Sequence, residues 1–278
     1  MNRPFPIAMI ITLCALPAWA QTPVCEELTG RQRRLAETIL DSEHLYDCCD
    51  NTISVCLATQ PACSLAERLA DNVCRRVAAG QDEQRIRRAL SRRARSMVGG
   101  GAPAEIDLQS AVVLGPNDAP VTLVIYACAR CPYCSRLIPE LVEAIRDGPL
   151  QENVRLAFRI FPIRGHEGST PAGLAFQTAA DLDVFWPFML YAYGHFDDWT
   201  EEAQVRWATE VGLERKVFET QMADPSTRAA LVESKKEGLV NGVEATPTIF
   251  INGRRWVGDL ETVELVDGLE EVVIRTAQ

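Results

Sequence analysis

Apolar residues recur along this chain in two rhythms, and the change from one to the other divides it. Over the first hundred residues the spacing is helical. Leu35, Ile39 and Leu40 mark one helix over 28–44, Leu65, Leu69, Val73 and Val77 a second over 65–79, and Ile86, Leu90 and Met97 a third over 83–97. Gly80 ends the second and Asp82 stands where it can cap the third. After a glycine run the pattern changes. Residues 121–127, VTLVIYA, are β-branched and apolar almost without interruption, as in a buried strand. Helical spacing returns over 135–148 with Leu137, Leu141, Val142 and Ile145, and NVRLAFRIFPI at 153–163 predicts the next strand. Five helical segments fill 170–242. Asn252-Gly253 then sits between two apolar runs, the signature of a tight hairpin, and a closing helix is expected over 261–275.

Helices alone, then strands alternating with helices, imply two domains: a small all-α one at 21–98 and an α/β one at 108–278. The linker, 99–107, begins with GGGAPAE, which breaks a helix and carries Pro103. Charge divides the same way. Residues 21–100 hold 12 Arg, no Lys and 11 acids, whereas 101–278 hold 15 basic and 27 acidic residues. So acidic a second domain is no partner for nucleic acid, since phosphate binding needs a positive surface. The arginines of 75–95 are interleaved with apolar residues at helical spacing and read as solvated faces.

The N-terminus sets the compartment. Arg3 precedes an apolar run over 7–16, and ALPAWA follows, which reads as a secretory leader cut after Ala20. That run is too short for an ordinary membrane span, and no later stretch reaches about 18 apolar residues. An exported protein is expected, periplasmic or secreted and not integral to the membrane. Cys14 falls within the leader. Six cysteines, Cys25, Cys48, Cys49, Cys56, Cys63 and Cys74, then crowd the helical domain. In an exported chain they read as a disulfide framework, with 15 possible connectivities that spacing does not sort. A metal site is the rival reading, but the spacings lack the paired C-x2-C knuckles of zinc domains.

The second domain carries the chemistry. Cys128, Cys131 and Cys134 lie between the 121–127 strand and the following helix, with Pro132 at the first helical position, where its missing N–H costs nothing. A cysteine at a helix N-terminus meets unpaired N–H groups and the positive dipole end, which favour thiolate over thiol. Cys134 is three residues on, placed to resolve a mixed disulfide formed at Cys131. An iron–sulfur cluster lacks its fourth cysteine, a c-type haem lacks C-x-x-C-H, and zinc lacks nearby ligands. Redox exchange is the reading left, with no organic cofactor and no metal. Arg130 is a candidate electrostatic helper. Cys128 reads either as a small buried residue or as a third thiol that traps or bypasses the pair. His166 and His195 read as loop or capping residues, and Trp186, Phe188 and Tyr191 as core.

GPNDAPVTLVIYACARCPYC resembles the active-site segment of DsbA-like thiol:disulfide oxidoreductases of the thioredoxin superfamily, and GVEATPTIFINGRRWVGD at 242–259 resembles their cis-proline loop and hairpin. The resemblance covers about 108–278. It implies a thioredoxin fold with an inserted helical subdomain at about 168–241, and an oxidoreductase acting on unfolded or cysteine-containing exported proteins with a membrane thiol-redox partner. It makes Cys131 the nucleophile, Cys134 the resolving thiol, Pro132 and Tyr133 the residues between them, and Thr246 and Pro247 the substrate-positioning loop. Whether the enzyme oxidises, or isomerises and reduces, stays open, as does a thiol-based metal or haem-protein chaperone. A shorter stretch, about 35 residues from Ser64, resembles the helical domain of CcmH-type cytochrome c maturation proteins. The helical domain is expected to dock or dimerise, or to relay electrons through its own thiols.

Overall fold

The computed structural model describes residues 23–59, 61 and 63–277, so the leader expected at 1–20 lies outside them. Two compact units meet between Leu90 and Ser91. The first contains α1 (Pro23–Glu26), α2 (Gly30–Leu40), α3 (Ile53–Leu57), α4 (Ser64–Ala78) and the first half of α5 (Glu83–Val98). Four-residue spacing puts Leu65, Leu69, Val73 and Val77 on one stripe of α4, and all four are buried in a core with Leu28, Ile39, Leu40, Ile53 and Ile86. The six cysteines are paired. Cys25–Cys74 fastens α1 to α4, Cys49–Cys56 closes a short loop onto α3, and Cys48–Cys63 joins the same loop to the start of α4. So thin a core gains from such crosslinks: closing a 15-residue loop removes roughly 3 kcal/mol of unfolded-chain entropy.

In the second unit, β1 (Val112–Leu114), β2 (Val121–Ala127) and α6 (Pro132–Arg146) lead to β3 (Val154–Ile160). The insertion follows as α7 (Ser169–Asp181), α8 (Phe185–Gly194), α9 (Glu201–Glu210), α10 (Arg215–Met222) and α11 (Pro225–Val240). β4 (Thr248–Ile251), β5 (Arg254–Arg255) and α12 (Thr262–Thr276) complete it. The strands form one mixed sheet in the order β1-β3-β2-β4-β5. β2 is central, parallel to β3 and antiparallel to β4. Neighbours on both edges and both faces explain why its sequence is apolar without alternation. Val124, Tyr126, Ala157, Phe161 and Phe250 form one buried face with Val243, and Ile106 and Leu108 lie against it. α6 and α12 pack on β3 and β2. Asn252 and Gly253 both have positive φ, 47° and 77°, as the two-residue hairpin requires.

Four differences from the sequence reading have physical causes. The unit boundary falls inside α5, upstream of the glycine run, because Arg93 is buried between Asp267 and Glu271 of α12 and the Val257 N–H donates to Ser96 Oγ. Residues expected to end the linker are not a free tether, since the Ala104 N–H donates to the Gly253 carbonyl at 2.8 Å. β1, only three residues long and half-exposed, has too short a pattern to be read from sequence. Of the aromatic run, Phe188 is buried as expected, whereas Trp186 and Tyr191 are partly exposed, Trp186 donating its indole N–H to the Val113 carbonyl.

Replacing Cys25 and Cys74 together by alanine is expected to lower the stability of the first unit by about 2–5 kcal/mol, followed as its transition in a denaturant titration of the full chain. An unshifted transition would contradict the crosslinked-core description.

Candidate active site

β2 ends at Ala127 and α6 begins at Pro132, so residues 128–131 make the whole connection. Cys131 is the N-cap of α6, with extended backbone (φ −97°, ψ 120°) and Pro132 in the first turn. Its N–H donates to the Cys128 carbonyl at 3.1 Å, and the Tyr193 hydroxyl donates to the same oxygen at 3.2 Å. The helix is locked at its start: the Ser135 N–H donates to the Cys131 carbonyl at 3.0 Å. Facing this N-terminus is the loop before β4, where Thr246–Pro247 is a cis peptide bond. The Cys131 thiol donates to the Thr246 carbonyl at 3.2 Å. Thus residues 115 positions apart in sequence meet at one sulfur.

Cys131 and Cys134 are free thiols, both fully buried, beneath exposed Pro132 and Tyr133; Tyr133 keeps 62% of its surface. Beside Tyr133 opens a groove of about 320 Å³ lined by Arg136, Leu137, Glu140 and residues 260–262.

The two thiols are driven in opposite directions. The Cys131 thiol is lowered to about 5, chiefly by the hydrogen bond from the Cys134 thiol. The N–H groups of Cys134 and Tyr133 and a hydrogen bond from Thr246 add to this, against the opposing effect of burial. The Thr246 hydroxyl is buried and makes no hydrogen bond while Cys131 is a thiol, so it is available to the thiolate. Cys134 is pushed well above the usual thiol range, first by burial and then by donating its proton to Cys131. One proton shared between two sulfurs makes one a nucleophile and the other its reserve of acid.

Arg130 is not placed as the expected electrostatic helper. Its guanidinium lies 4.5 Å from the centre of the Phe196 ring and 4.9 Å from that of Trp199, and donates to the Phe196 carbonyl. It ties the active-site turn to the helical insertion. His166, expected as a loop residue, does lie on the loop between β3 and α7, but it also brings Nδ1 within 3.3 Å of the Cys128 sulfur. A separation of 38 residues hid that contact, and no sequence motif marks it. Among the described residues no cluster of three or more His, Cys, Asp or Glu side chains is arranged to hold a metal ion.

Residues 108–271 match the thioredoxin family. The chain belongs to that family. A thioredoxin-like oxidoreductase from Silicibacter pomeroyi shares 28% identity and a TM-score of 0.52, over 61% of this chain and 98% of its own. BdbD of Bacillus subtilis shares the fold at 20% identity and a TM-score of 0.54, over 62% of this chain and 98% of its own, and the thiol-disulfide exchange protein alpha-DsbA2 of Wolbachia pipientis shares it at 20% identity and 0.52, over 59% of this chain and 88% of its own, so the architecture is DsbA-like. A Na(+)/H(+) antiporter NhaA 3 of Salinispora tropica is 32% identical over 179 residues. The match takes in 62% of this chain but 27% of that protein, so the chain spans about a quarter of the length of the curated relatives it matches. Among the described residues no helix is long and apolar enough to cross a membrane.

Alkylation of Cys131 by iodoacetamide is expected to follow the thiolate: constant at neutral pH and falling as pH drops, with a midpoint near pH 5. Removing the hydroxyl donor in Thr246→Val raises that midpoint, whereas Arg130→Ala leaves it in place and lowers stability by about 1–2 kcal/mol through the lost cation–π contacts. A midpoint near the free-cysteine value of about 8.5 in the wild type would contradict the geometry.

Proposed function

We propose that this family member is an exported thiol:disulfide oxidoreductase that donates disulfides to cysteines of other exported proteins. The observation that carries this reading is the opposed pair: Cys131 lowered to about 5 at the N-terminus of α6, beside Cys134 raised well above the ordinary range. In the oxidised enzyme a substrate thiolate attacks the Cys131 sulfur, the Cys131–Cys134 bond breaks, and Cys134 leaves and takes up a proton. A second substrate thiolate attacks the substrate sulfur of this mixed disulfide and expels Cys131. The better leaving thiol is the more acidic one, so release from Cys131 favours disulfide donation. A reductase is better served by a less acidic nucleophile, as in thioredoxin at about 7.

The remaining roles follow. The Thr246 carbonyl, which accepts the Cys131 thiol at 3.2 Å, is where an extended substrate segment would add its N–H as an extra strand, with Pro247 behind it. Pro132 and Tyr133, exposed above the thiols, meet the substrate first. The groove beside Tyr133 gives room for its flanking residues. The redox group is the Cys131–Cys134 disulfide itself, with no organic cofactor or metal, and a membrane thiol-redox partner restores it. The leader directs the chain out of the cytoplasm, and the disulfide-bonded first unit serves as a docking or dimerisation module.

Cys134→Ala first charged at Cys131 with glutathione disulfide is expected, on mixing with reduced, unfolded substrate proteins, to exchange glutathione for a substrate thiol and to accumulate Cys131–substrate mixed disulfides, because Cys134 is not there to reverse the step. Cys131→Ser is expected to trap none and to return substrate oxidation to the uncatalysed rate. Equal trapping by both variants, or oxidation that survives in Cys131→Ser, would sink this reading.

A further inference from the structure

The loop from β3 to α7 and one side of α11 face each other across a groove of about 870 Å³, larger than the one beside Tyr133 and sharing no residue with it. Two hydrogen bonds draw α11 against the end of β3 and that loop. Ser234 Oγ donates to the Ile160 carbonyl at 2.8 Å, and Lys235 Nζ to the Pro162 carbonyl at 2.7 Å. The Lys235 ammonium also lies 3.3 Å from the centre of the Phe161 ring. Both walls are therefore held in place before a ligand arrives, as in most binding clefts.

The lining is patterned. Val232, Lys235, Lys236 and Leu239 stand at i, i+3, i+4 and i+7, one stripe of α11, and Val232 and Leu239 keep 44% and 57% of their surface exposed. Across from them Ile163 and Pro171 add apolar surface, and Arg164 is exposed. Charge is as uneven as hydropathy. The whole chain has three lysines, and two of them are here. With Arg164 they meet one lining carboxylate, Glu167, in a domain whose residues 101–278 hold 27 acids against 15 bases. Lys236 pairs with Glu233 at 2.7 Å, but both are exposed, and a pair so screened by solvent yields readily to a partner's carboxylate.

We propose that this groove docks an acidic amphipathic helix of a partner protein. Apolar residues at i and i+7 of that helix meet Val232 and Leu239, about 10 Å apart along α11, and carboxylates at i+3 and i+4 meet Lys236 and Arg164. A concave cleft takes a helix, whereas a membrane needs an exposed face to lie on, and the acidic remainder of the domain repels anionic lipid. The groove adjoins the active-site turn: His166 Nδ1 and Ser169 Oγ, on its wall, lie 3.3 and 3.2 Å from the Cys128 sulfur. Resting on the exchange function proposed above, the docked helix belongs to the protein whose cysteines meet Cys131. The groove then selects, among cysteine-containing proteins, those that carry such a helix.

The test titrates the full-length protein into a fluorescein-labelled peptide of about 18 residues, long enough to hold a helix in water, and follows anisotropy. The peptide carries Leu at i and i+7 and Glu at i+3 and i+4, with Ala and Gln elsewhere. Saturable binding that weakens with added salt is expected, together with at least about tenfold weaker binding of a peptide with Lys at i+3 and i+4. The double variant Arg164→Glu, Lys236→Glu is expected to reverse that preference, and Leu239→Ser to weaken both peptides. No saturation of wild type by about 1 mM, or equal binding of the two peptides, overturns the proposal whatever the variants do. So does a double variant that keeps the wild-type preference. Sedimentation of wild type, but not of the double variant, with phosphatidylglycerol vesicles would put a membrane in the groove, and a wild-type dimer that the double variant abolishes would put a second copy there; either result overturns it. Failure of the Cys131 trapping experiment with peptide binding intact removes the exchange function and leaves the docking site, so the two failures are distinct.

Discussion

The Cys131 sulfur stands at the N-terminus of α6 and 3.2 Å from the Thr246 carbonyl, and elements far apart in the chain must hold both positions at once. On one side, the four residues 128–131 leave little slack between β2 and α6. On the other, the Thr246–Pro247 loop returns to the sheet only after the whole helical insertion. What aligns that return is a partly buried polar network between the sheet and α11. Tyr126 of β2 donates its hydroxyl to Glu237 of α11 at 2.8 Å, Glu237 pairs with Arg159 of β3 at 3.1 Å, and Asn241 donates to Tyr126 and Glu237. Burial and the Glu237 carboxylate push the Tyr126 phenol up, so it stays a donor. Gly238 lets α11 approach closely: a side-chain carbon there would lie 2.6 Å from the Phe161 ring.

This arrangement fixes the end of α11 on the sheet, and with it the loop that carries Thr246. The insertion is tied to the turn from the other direction by Arg130 between Phe196 and Trp199 and by the Tyr193 hydroxyl on the Cys128 carbonyl. The helices between β3 and β4 are therefore part of the active-site support, and their aromatic core of Phe158, Phe176, Phe185 and Phe188 keeps that support rigid.

Much of this was legible because the signals are local. VTLVIYA is a strand by composition and buried on both faces by its lack of alternation; Pro132 marks the first turn of α6; Asn252-Gly253 demands a hairpin because both residues take positive φ. The pair of thiols at the start of α6 and the cis Thr246–Pro247 bond could be placed from motifs for the same reason. What stayed hidden depends on three-dimensional partners. The pairing of six cysteines is a choice among near-equal spacings that only the packing of α1, α3 and α4 resolves. Arg130 was assigned to the thiol by adjacency in sequence, whereas its side chain finds aromatic rings 66 and 69 residues on. The α5 boundary was misplaced because a glycine run is visible in sequence and a buried Arg93–Glu271 pair is not. His166 carried no local signal at all.

The central claim is that the geometry around Cys131 stabilises its thiolate and so stabilises the reduced enzyme, which makes the Cys131–Cys134 disulfide an oxidant. Its most direct test is the equilibrium reduction potential of that pair in glutathione buffers. The account requires a value between about −180 and −120 mV, the range in which disulfides are passed on. A value at or below roughly −230 mV would place the pair among reductants and contradict it.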